Sequence, residues 1–308
     1  MQLQKTESIW FNGRLVPWDE ARVHVLSHAL HYASSVFEGI RAYATPRGPA
    51  VLRLREHMER LLVSCRIVRL PITLTCDELC QAVLTTVRAS DLESCYIRPI
   101  VFRGYGAMGV DPSRCPVDVA VAVWPHGAHF GPEKRESGIA LGVSSWRRMA
   151  PDTIPAMAKS AANYLNSQLV VLEAREHGYD DGIALDVAGY VSETSGANLF
   201  VVRRGKLHTP PVVSSILAGV TRDCVLTLAR ELDIPAVEER LPREMLFVAD
   251  EVFVTGTAAE VTPVRSIDGV TIGKGARGPI TARLQERYLD LANGRADDVH
   301  GWLTPVRS

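Results

Sequence analysis

Hydrophobic positions change their spacing several times along the first half of the chain, and each change marks an element. Ile9-Trp10-Phe11 leads into Asn12-Gly13 and then Arg14-Leu15-Val16-Pro17, which predicts a hairpin turning on the Asn-Gly pair. Arg41-Ala42-Tyr43 and Ala50-Val51-Leu52-Arg53-Leu54 flank Pro46-Arg47-Gly48-Pro49 and predict a second hairpin. The period then lengthens. Met58, Leu61, Leu62, Cys65 and Val68 recur at helical spacing and predict a helix from about Glu56 to Val68, and Asp77 to Ser90 reads as another. Two strands are expected next, Ser94 to Arg103 and Val117 to Val123.

Pro125-His126-Gly127-Ala128-His129-Phe130-Gly131-Pro132 interrupts this order, and no periodicity passes through it. It divides the chain into a small N-terminal domain over 1–124, a connecting loop over 125–136 and a larger C-terminal domain over 137–308. The second half opens on a strand from Ile139 to Ser144. A helix from about Asn163 to His177 ends at Gly178, a good C-cap, with His177 near the negative end of the helix dipole. Gly182 to Asp186, Tyr190 to Glu193 and Asn198 to Val202 read as a meander turning around Gly189 and Gly196. A helix from Thr221 to Asp233 and a strand from Glu251 to Val254 complete the pattern. Hairpins and helices mixed in two halves predict the α+β class with mainly antiparallel strands.

Composition narrows the function. With 308 residues, 46% hydrophobic and 22% charged, the chain is long enough for a large core and ordinary for a globular protein. A formal net charge of -1 gives no electrostatic case for nucleic acid or an anionic membrane. Basic pairs such as Arg147-Arg148 and Arg203-Arg204 are expected to be solvated. The most apolar stretch, Val117 to Trp124, contains Asp118 and is too short to cross a bilayer. Met1 to Glu7 is polar, without a signal-peptide core, which predicts a cytoplasmic protein. Six cysteines show neither a CxxC pair nor a disulfide framework, and Cys76 with Cys80 lacks the paired histidines of a metal site. His28 and His31 share a helix face and are read as structural.

Candidate chemistry begins at Lys159, set in Pro155-Ala156-Met157-Ala158-Lys159-Ser160-Ala161-Ala162-Asn163 with no acidic residue within four positions. An apolar setting disfavours a charged amine, and a neutral amine can attack a carbonyl to form an imine; alone, however, the segment favours a surface lysine. Three features suit a phosphorylated ligand. Thr221 stands where the first N–H groups of a helix point outward, though it also reads as a plain N-cap. Thr255-Gly256-Thr257-Ala258-Ala259-Glu260 follows a strand and lets backbone amides approach an anion, or forms a strand-to-helix turn capped by Thr257. Arg60 on the early helix suits a bidentate phosphate clamp, or lies on the surface. There is no G-x-G-x-x-G after a strand and no Walker A sequence, so a dinucleotide site is excluded.

Taken in order, Lys159 with Asn163-Tyr164, Gly182-Ile183-Ala184-Leu185-Asp186, Glu193-Thr194-Ser195-Gly196-Ala197-Asn198-Leu199-Phe200, Gly219-Val220-Thr221-Arg222 and Thr255 to Glu260 resemble the class IV pyridoxal-phosphate aminotransferases over essentially the whole chain. Ser27 to Tyr32, Phe37-Glu38-Gly39-Ile40-Arg41 and Tyr96-Ile97-Arg98-Pro99 resemble the branched-chain amino-acid aminotransferases in particular. The resemblance implies a two-domain fold-type IV enzyme of the D-amino-acid-aminotransferase-like kind, barrel-like with flanking helices. It implies pyridoxal 5′-phosphate as cofactor, held by Lys159 as an imine. Glu193 would pair with the pyridine nitrogen and Tyr164 with the phenolic oxygen. Arg60, the amides of Val220 and Thr221, and the hydroxyls of Thr221 and Thr257 would hold the phosphate. Tyr96, Arg98 and the Thr257-Ala258 amides would surround the substrate carboxylate, with Arg98 serving 2-oxoglutarate. Tyr32, Phe37, Tyr164 and the loop from Met108 to Val110 would form an apolar wall, the loop coming from a neighbouring subunit. The implied reaction is ping-pong amino transfer between leucine, isoleucine or valine and 2-oxoglutarate, in a homodimer or a hexamer built from dimers. D-amino-acid aminotransferase, (R)-amine transaminase and 4-amino-4-deoxychorismate lyase share the fold. Tyr96-Ile97-Arg98-Pro99 argues against the first two and the intact Gly256-Thr257-Ala258-Ala259-Glu260 loop against the third. A non-catalytic pyridoxal-phosphate-binding protein is disfavoured by the presence of both Lys159 and Glu193.

The chain departs from the family in its connecting loop, where tryptophan and tyrosine are common and His126 and His129 stand here. Two imidazoles make that rim smaller, more polar and partly titratable. The expected outcome is a weaker preference for leucine and some relaxation toward other donors. Restoring the aromatics with His126→Trp and His129→Tyr should raise kcat/KM for leucine relative to valine and an aromatic donor, and unchanged ratios would count against this reading.

Overall fold

The structure is a computed structural model and describes residues 3–127 and 129–307. It divides into two compact units. The first takes the residues up to His126 together with Ala158–Ala162 and the residues from Leu291 on, and the second takes Gly127–Met157 and Asn163–Asp290. The chain passes from the first unit to the second between His126 and Gly127, within the Pro/Gly-rich segment. The lysine segment and the C-terminus, expected in the C-terminal domain, instead pack with the first unit. Their contacts are backbone hydrogen bonds to distant strands, which leave no periodic trace in the sequence.

The first unit is an antiparallel sheet with helices on it. Its strands are β1 (Ser8–Phe11), β2 (Arg14–Pro17), β3 (Ser35–Phe37), β4 (Ile40–Thr45), β5 (Gly48–Leu52), β6 (Cys95–Arg103) and β7 (Val117–Trp124), with the short helix α1 (His28–Tyr32) between β2 and β3. The C-terminal strand Leu303–Pro305 pairs with β5, and the order continues through β4, β6, β7, β1 and β2, with β3 also pairing β6. Both predicted hairpins form. Asn12 and Gly13 take φ of 46° and 99°, the left-handed pair that a two-residue turn between twisted strands requires.

Helices α2 (Leu54–Ile67) and α3 (Cys76–Ser90) lie within two residues of their predicted limits. Thr75 and Glu78 close a capping box on α3. Met58, Leu61 and Cys65 of α2 and Leu79, Val83 and Val87 of α3 bury against Cys95, Ile97 and Val101 of β6 and Val119, Val121 and Val123 of β7. Strand parity then decides the rest: with Cys95 and Ile97 committed to this core, Tyr96 and Arg98 face the other way. Pro99 sits inside β6 without an N–H to give. It falls where β6 changes partner, between pairs to β4 at 95–97 and pairs to β3 at 100–102, and its carbonyl accepts the N–H of Glu38 at 2.9 Å.

The second unit carries the short helix α4 (Lys134–Ser137), β8 (Ile139–Arg147), α5 (Ala161–Glu176), whose first two residues belong to the first unit, β9 (Asp181–Leu185), β10 (Val191–Thr194), β11 (Asn198–Arg203), β12 (Lys206–Thr209), α6 (Val220–Glu231), β13 (Ala236–Glu238), β14 (Glu251–Gly256), β15 (Glu260–Ile267) and β16 (Val270–Thr271); a last helix spans Pro279–Ala292. Its sheet runs β10-β9-β8-β15-β14-β11-β12-β13, with β16 beside β15. It is mixed: β9 with β8, β8 with β15 and β12 with β13 are parallel. The predicted meander is therefore corrected. β9 and β10 pair, but β11 leaves β10 and pairs with β14 and β12, because the chain returns through 251–256 to complete it. Leu199, Val201, Val252 and Val254 fill one core face, while Phe200 and Phe253, opposite each other in register, stack at 5.0 Å on the other. α5 ends as expected: Gly178 takes φ of 81°, and its N–H and that of Tyr179 return to the carbonyls of Arg175 and Ala174.

Candidate active site

Lys159 belongs to the first unit, and its main chain is fixed from both sides. Its N–H donates to the Ser64 hydroxyl of α2 at 3.0 Å, its carbonyl accepts the Phe37 N–H at 3.1 Å, and the next residue, Ser160, bridges Val36 of β3. The Lys159 amine stands 5.2 Å from the centre of the Phe37 ring. Arg98 lies over the same ring at 4.7 Å and within 5.8 Å of the Tyr96 and Trp124 ring centres, while its Nε is buried without a hydrogen-bond partner among the described residues. A guanidinium fixed by aromatic faces, with a buried donor left to satisfy, fits a carboxylate ligand. Tyr96 can stand here because residue 39 is glycine: a Cβ there would lie 2.0 Å from the Tyr96 hydroxyl. His126 lies beside the same ring, 5.1 Å from Tyr96.

Arg60 is not a surface arginine. Its Nε and Nη2 donate to the two oxygens of Glu38 at 2.7 and 2.8 Å, and Glu38 also accepts from Nδ1 of His57 at 2.8 Å. Burial alone would raise the Glu38 carboxyl, but Arg60 and His57 outweigh it and hold the group far below the usual carboxylate range. Burial pushes His57 down, against the pull of Glu38. Residues 57, 60 and 64 are spaced for one helix face, so α2 presents His57, Arg60 and Ser64 in a row.

Tyr32, Met108 and Val110 do not sit in that arrangement. They are 42%, 48% and 85% exposed, and His28 ties their segments together: its ring lies 4.5 Å from Tyr32 and its Nε2 is 3.0 Å from the Gly109 carbonyl. The structural reading of His28 and His31 holds, His31 Nε2 lying 2.9 Å from the Val25 carbonyl.

The second unit carries the other candidates. Glu193 of β10 is buried, not an outward-facing strand residue. Arg148 meets its Oε1 at 2.8 Å, and Asn198 Nδ2 and the Leu217 N–H donate to its Oε2 at 3.0 and 3.1 Å. Arg148, expected in solvent, is itself buried, with further hydrogen bonds to the Asn166 side chain and the Ser215 carbonyl, while Arg147 at the end of β8 is exposed. Neighbours on extended chain face opposite ways, so a basic pair is split between water and core.

Thr221 is not the N-cap of α6. Gly219 holds that place and has no side chain to cap the helix, and Thr221 is the second helical residue. Gly219 is required here, since a Cβ would lie 2.0 Å from the Asn198 side-chain oxygen. Thr257, Ala258 and Ala259 form the tight connection of the β14–β15 hairpin rather than a strand-to-helix turn, and the neighbouring Thr255 hydroxyl is buried without a hydrogen-bond partner among the described residues. Uncapped helical N–H groups and small-residue turns are suited to a phosphate, and the buried Glu193 carboxylate to a ring N–H. Tyr164 lies half-buried in the first turn of α5. His129 lies beside Phe130, its imidazole pushed down by burial while Asp181 draws it up.

The sequence reading missed Glu38, His57, Ser64 and Arg148. Polar residues at core positions of a helix, and a glutamate inside Val36-Phe37-Glu38-Gly39-Ile40, were the available signals.

The first unit fixes at its main chain a lysine of the kind that forms imines, and the second holds a buried carboxylate and a helix start suited to a phosphate. The chain belongs to the class IV amino-transferase family, which matches residues 35–267, and within it to the branched-chain-amino-acid aminotransferases. The enzyme of that name from Salmonella typhimurium is 53% identical over 309 residues, covering 100% of both chains. The Escherichia coli branched-chain amino acid aminotransferase superposes with a TM-score of 0.97 at 53% identity, over 98% of this chain and 100% of that one. The branched-chain amino acid aminotransferase of Thermobaculum terrenum, solved in its PLP-form, gives 0.93 at 36% identity over 99% of each chain.

Removing Arg148 strands a buried carboxylate. Arg148→Met should cost about 3–5 kcal/mol of stability by urea unfolding; a loss below about 1 kcal/mol would show that the pair is solvated after all.

Proposed function

We propose that this chain transfers the amino group of L-leucine, L-isoleucine or L-valine to 2-oxoglutarate, giving branched 2-oxo acids and L-glutamate, with pyridoxal 5′-phosphate as cofactor. The observation that carries this reading is Lys159 held against Phe37, with Arg98 over the same ring. When bound, the cofactor supplies an aldehyde carbon that takes up amino groups and a ring that accepts the electron pair left at the substrate α-carbon. Every other task falls to the protein.

With the cofactor bound, Lys159 would hold it through its side-chain nitrogen, and the amine, once released by the substrate amine, would serve as the base that takes up and returns the α-proton. The Ser64 and Phe37 hydrogen bonds fix its main chain, so only the side chain has to swing. Glu193 pairs with the pyridine nitrogen, and three donors hold its carboxylate in place for that role. Arg60, the Val220 and Thr221 N–H groups and the Thr221 and Thr257 hydroxyls hold the phosphate, and Tyr164 donates to the phenolic oxygen. Tyr96, Arg98 and the Thr257 and Ala258 amides receive carboxylate, with Arg98 taking the second carboxylate of 2-oxoglutarate. Phe37 and Tyr164 form part of the apolar wall, and Tyr32, Met108 and Val110, whose segments His28 ties together, would complete it from a neighbouring subunit. Such a wall separates aliphatic side chains by only about 1–3 kcal/mol per methylene, which suits a leucine, isoleucine and valine range.

We further propose a homodimer, or a hexamer of three dimers, in which a neighbour supplies the Met108–Val110 segment. Val25, Leu30, Tyr32, Tyr105, Met108 and Val110 are exposed in two segments joined by His28 and by the His24–Tyr105 ring contact. That is the kind of apolar surface a second subunit covers. Six cysteines free of disulfides fit a reducing, cytoplasmic setting, and among the described residues no helix is long and apolar enough to cross a membrane.

Mixing the cofactor-loaded protein with single amino acids in both enantiomers, and with (R)-amines, separates this function from its relatives. L-leucine, L-isoleucine and L-valine should bleach the visible cofactor band, whereas a response to D-amino acids or (R)-amines alone would assign a relative's activity. Sedimentation velocity should give a dimer or larger species, and Val110→Glu should shift it toward monomer with loss of turnover; a fully active monomer would contradict the shared site.

A further inference from the structure

Glu38 takes no part in the chemistry assigned above, yet it is completely buried and both its carboxylate oxygens meet Arg60. We propose that Glu38 and His57 are positioning residues for Arg60, fixing its guanidinium for the cofactor phosphate. This rests on the reading that Arg60 holds that phosphate.

A flexible side chain on a helix is a poor clamp unless something locks its plane. Glu38 engages Arg60 through Nε and Nη2 at once, and a two-point contact of this kind fixes the guanidinium plane relative to the carboxylate. The carboxylate is fixed in turn. His57 Nδ1 donates to its Oε2 at 2.8 Å, the Gly39 N–H approaches the same oxygen at 3.3 Å, and the Glu38 N–H is tied to the Pro99 carbonyl at 2.9 Å. The orientation of Arg60 is thus traced back to β6, where the Pro99 carbonyl holds the Glu38-Gly39 segment between the pairings with β3 and β4. His57 stands three residues before Arg60, on the same face of α2, so a single helix carries both the clamp and one of the groups that holds its partner. Glu38 also places a negative charge beside Arg60, so an incoming phosphate meets an oriented donor rather than an unbalanced buried cation.

A purely structural ion pair would have the same geometry, so the test compares ligands with and without phosphate. The full chain, freed of cofactor, is titrated with pyridoxal 5′-phosphate, with pyridoxal and with inorganic phosphate. Glu38→Gln should weaken pyridoxal 5′-phosphate by about tenfold or more and inorganic phosphate in parallel, leaving pyridoxal within about twofold. His57→Gln should show the same selectivity at about threefold, and it serves as the test if Glu38→Gln fails to fold. Adding Glu38→Gln to Arg60→Met should cause no further loss. Equal losses for phosphorylated and unphosphorylated ligands would overturn the proposal, as would full affinity in Glu38→Gln when Arg60→Met is weakened. Undiminished affinity in Arg60→Met would instead remove the underlying role of Arg60.

Discussion

Buried charge has to be compensated where it stands, and that constraint organises both halves of this enzyme. Glu38 in the first unit and Glu193 in the second are carboxylates taken out of water, and each is met by an arginine and further donors. Neither pair is a surface decoration that could be exchanged for another. Each requires its neighbours to adopt a given backbone path: the Glu38-Gly39 segment opposite Pro99, and the turn from Leu217 to Gly219 around Asn198. The functional groups are therefore placed by the same contacts that hold the fold.

Period decides what the remaining side chains can do. In β6 the residues at 95, 97 and 101 fill the core under α2 and α3, and Tyr96 and Arg98 are thereby directed to the opposite face. There Arg98 rests on Phe37, to whose ring the Lys159 amine is also close. A strand thus directs Tyr96 and Arg98 away from the core as a by-product of packing, while α2 delivers His57, Arg60 and Ser64 through its spacing of three and four residues. Ser64 links the two sources, because it carries the N–H of Lys159.

Much of this was legible in the sequence. Helical spacing located α2 and α3 to within two residues, Asn12-Gly13 announced its hairpin, and Gly178 marked the end of α5. What remained hidden depends on contacts between distant residues. No local pattern says that β11 will leave β10 for β14, or that residues 158–162 will join strands more than a hundred positions earlier. Arg148 beside Arg147 looks like a solvated pair until the strand assigns them to opposite sides. Thr221 looks like an N-cap until Gly219, forced by the closeness of Asn198, takes that place. The candidate residues themselves could be named by resemblance, but the groups that hold them, Glu38, His57 and Arg148, could be found only once the chain was folded.

The bond between cofactor and protein is the point on which every assigned role converges. Borohydride reduction of the protein loaded with pyridoxal 5′-phosphate, followed by digestion and peptide mass mapping, should place the reduced pyridoxyl group on the nitrogen of Lys159 and on no other lysine. A label on a different residue, or a protein that takes up the cofactor and yields no reduced peptide, would contradict it.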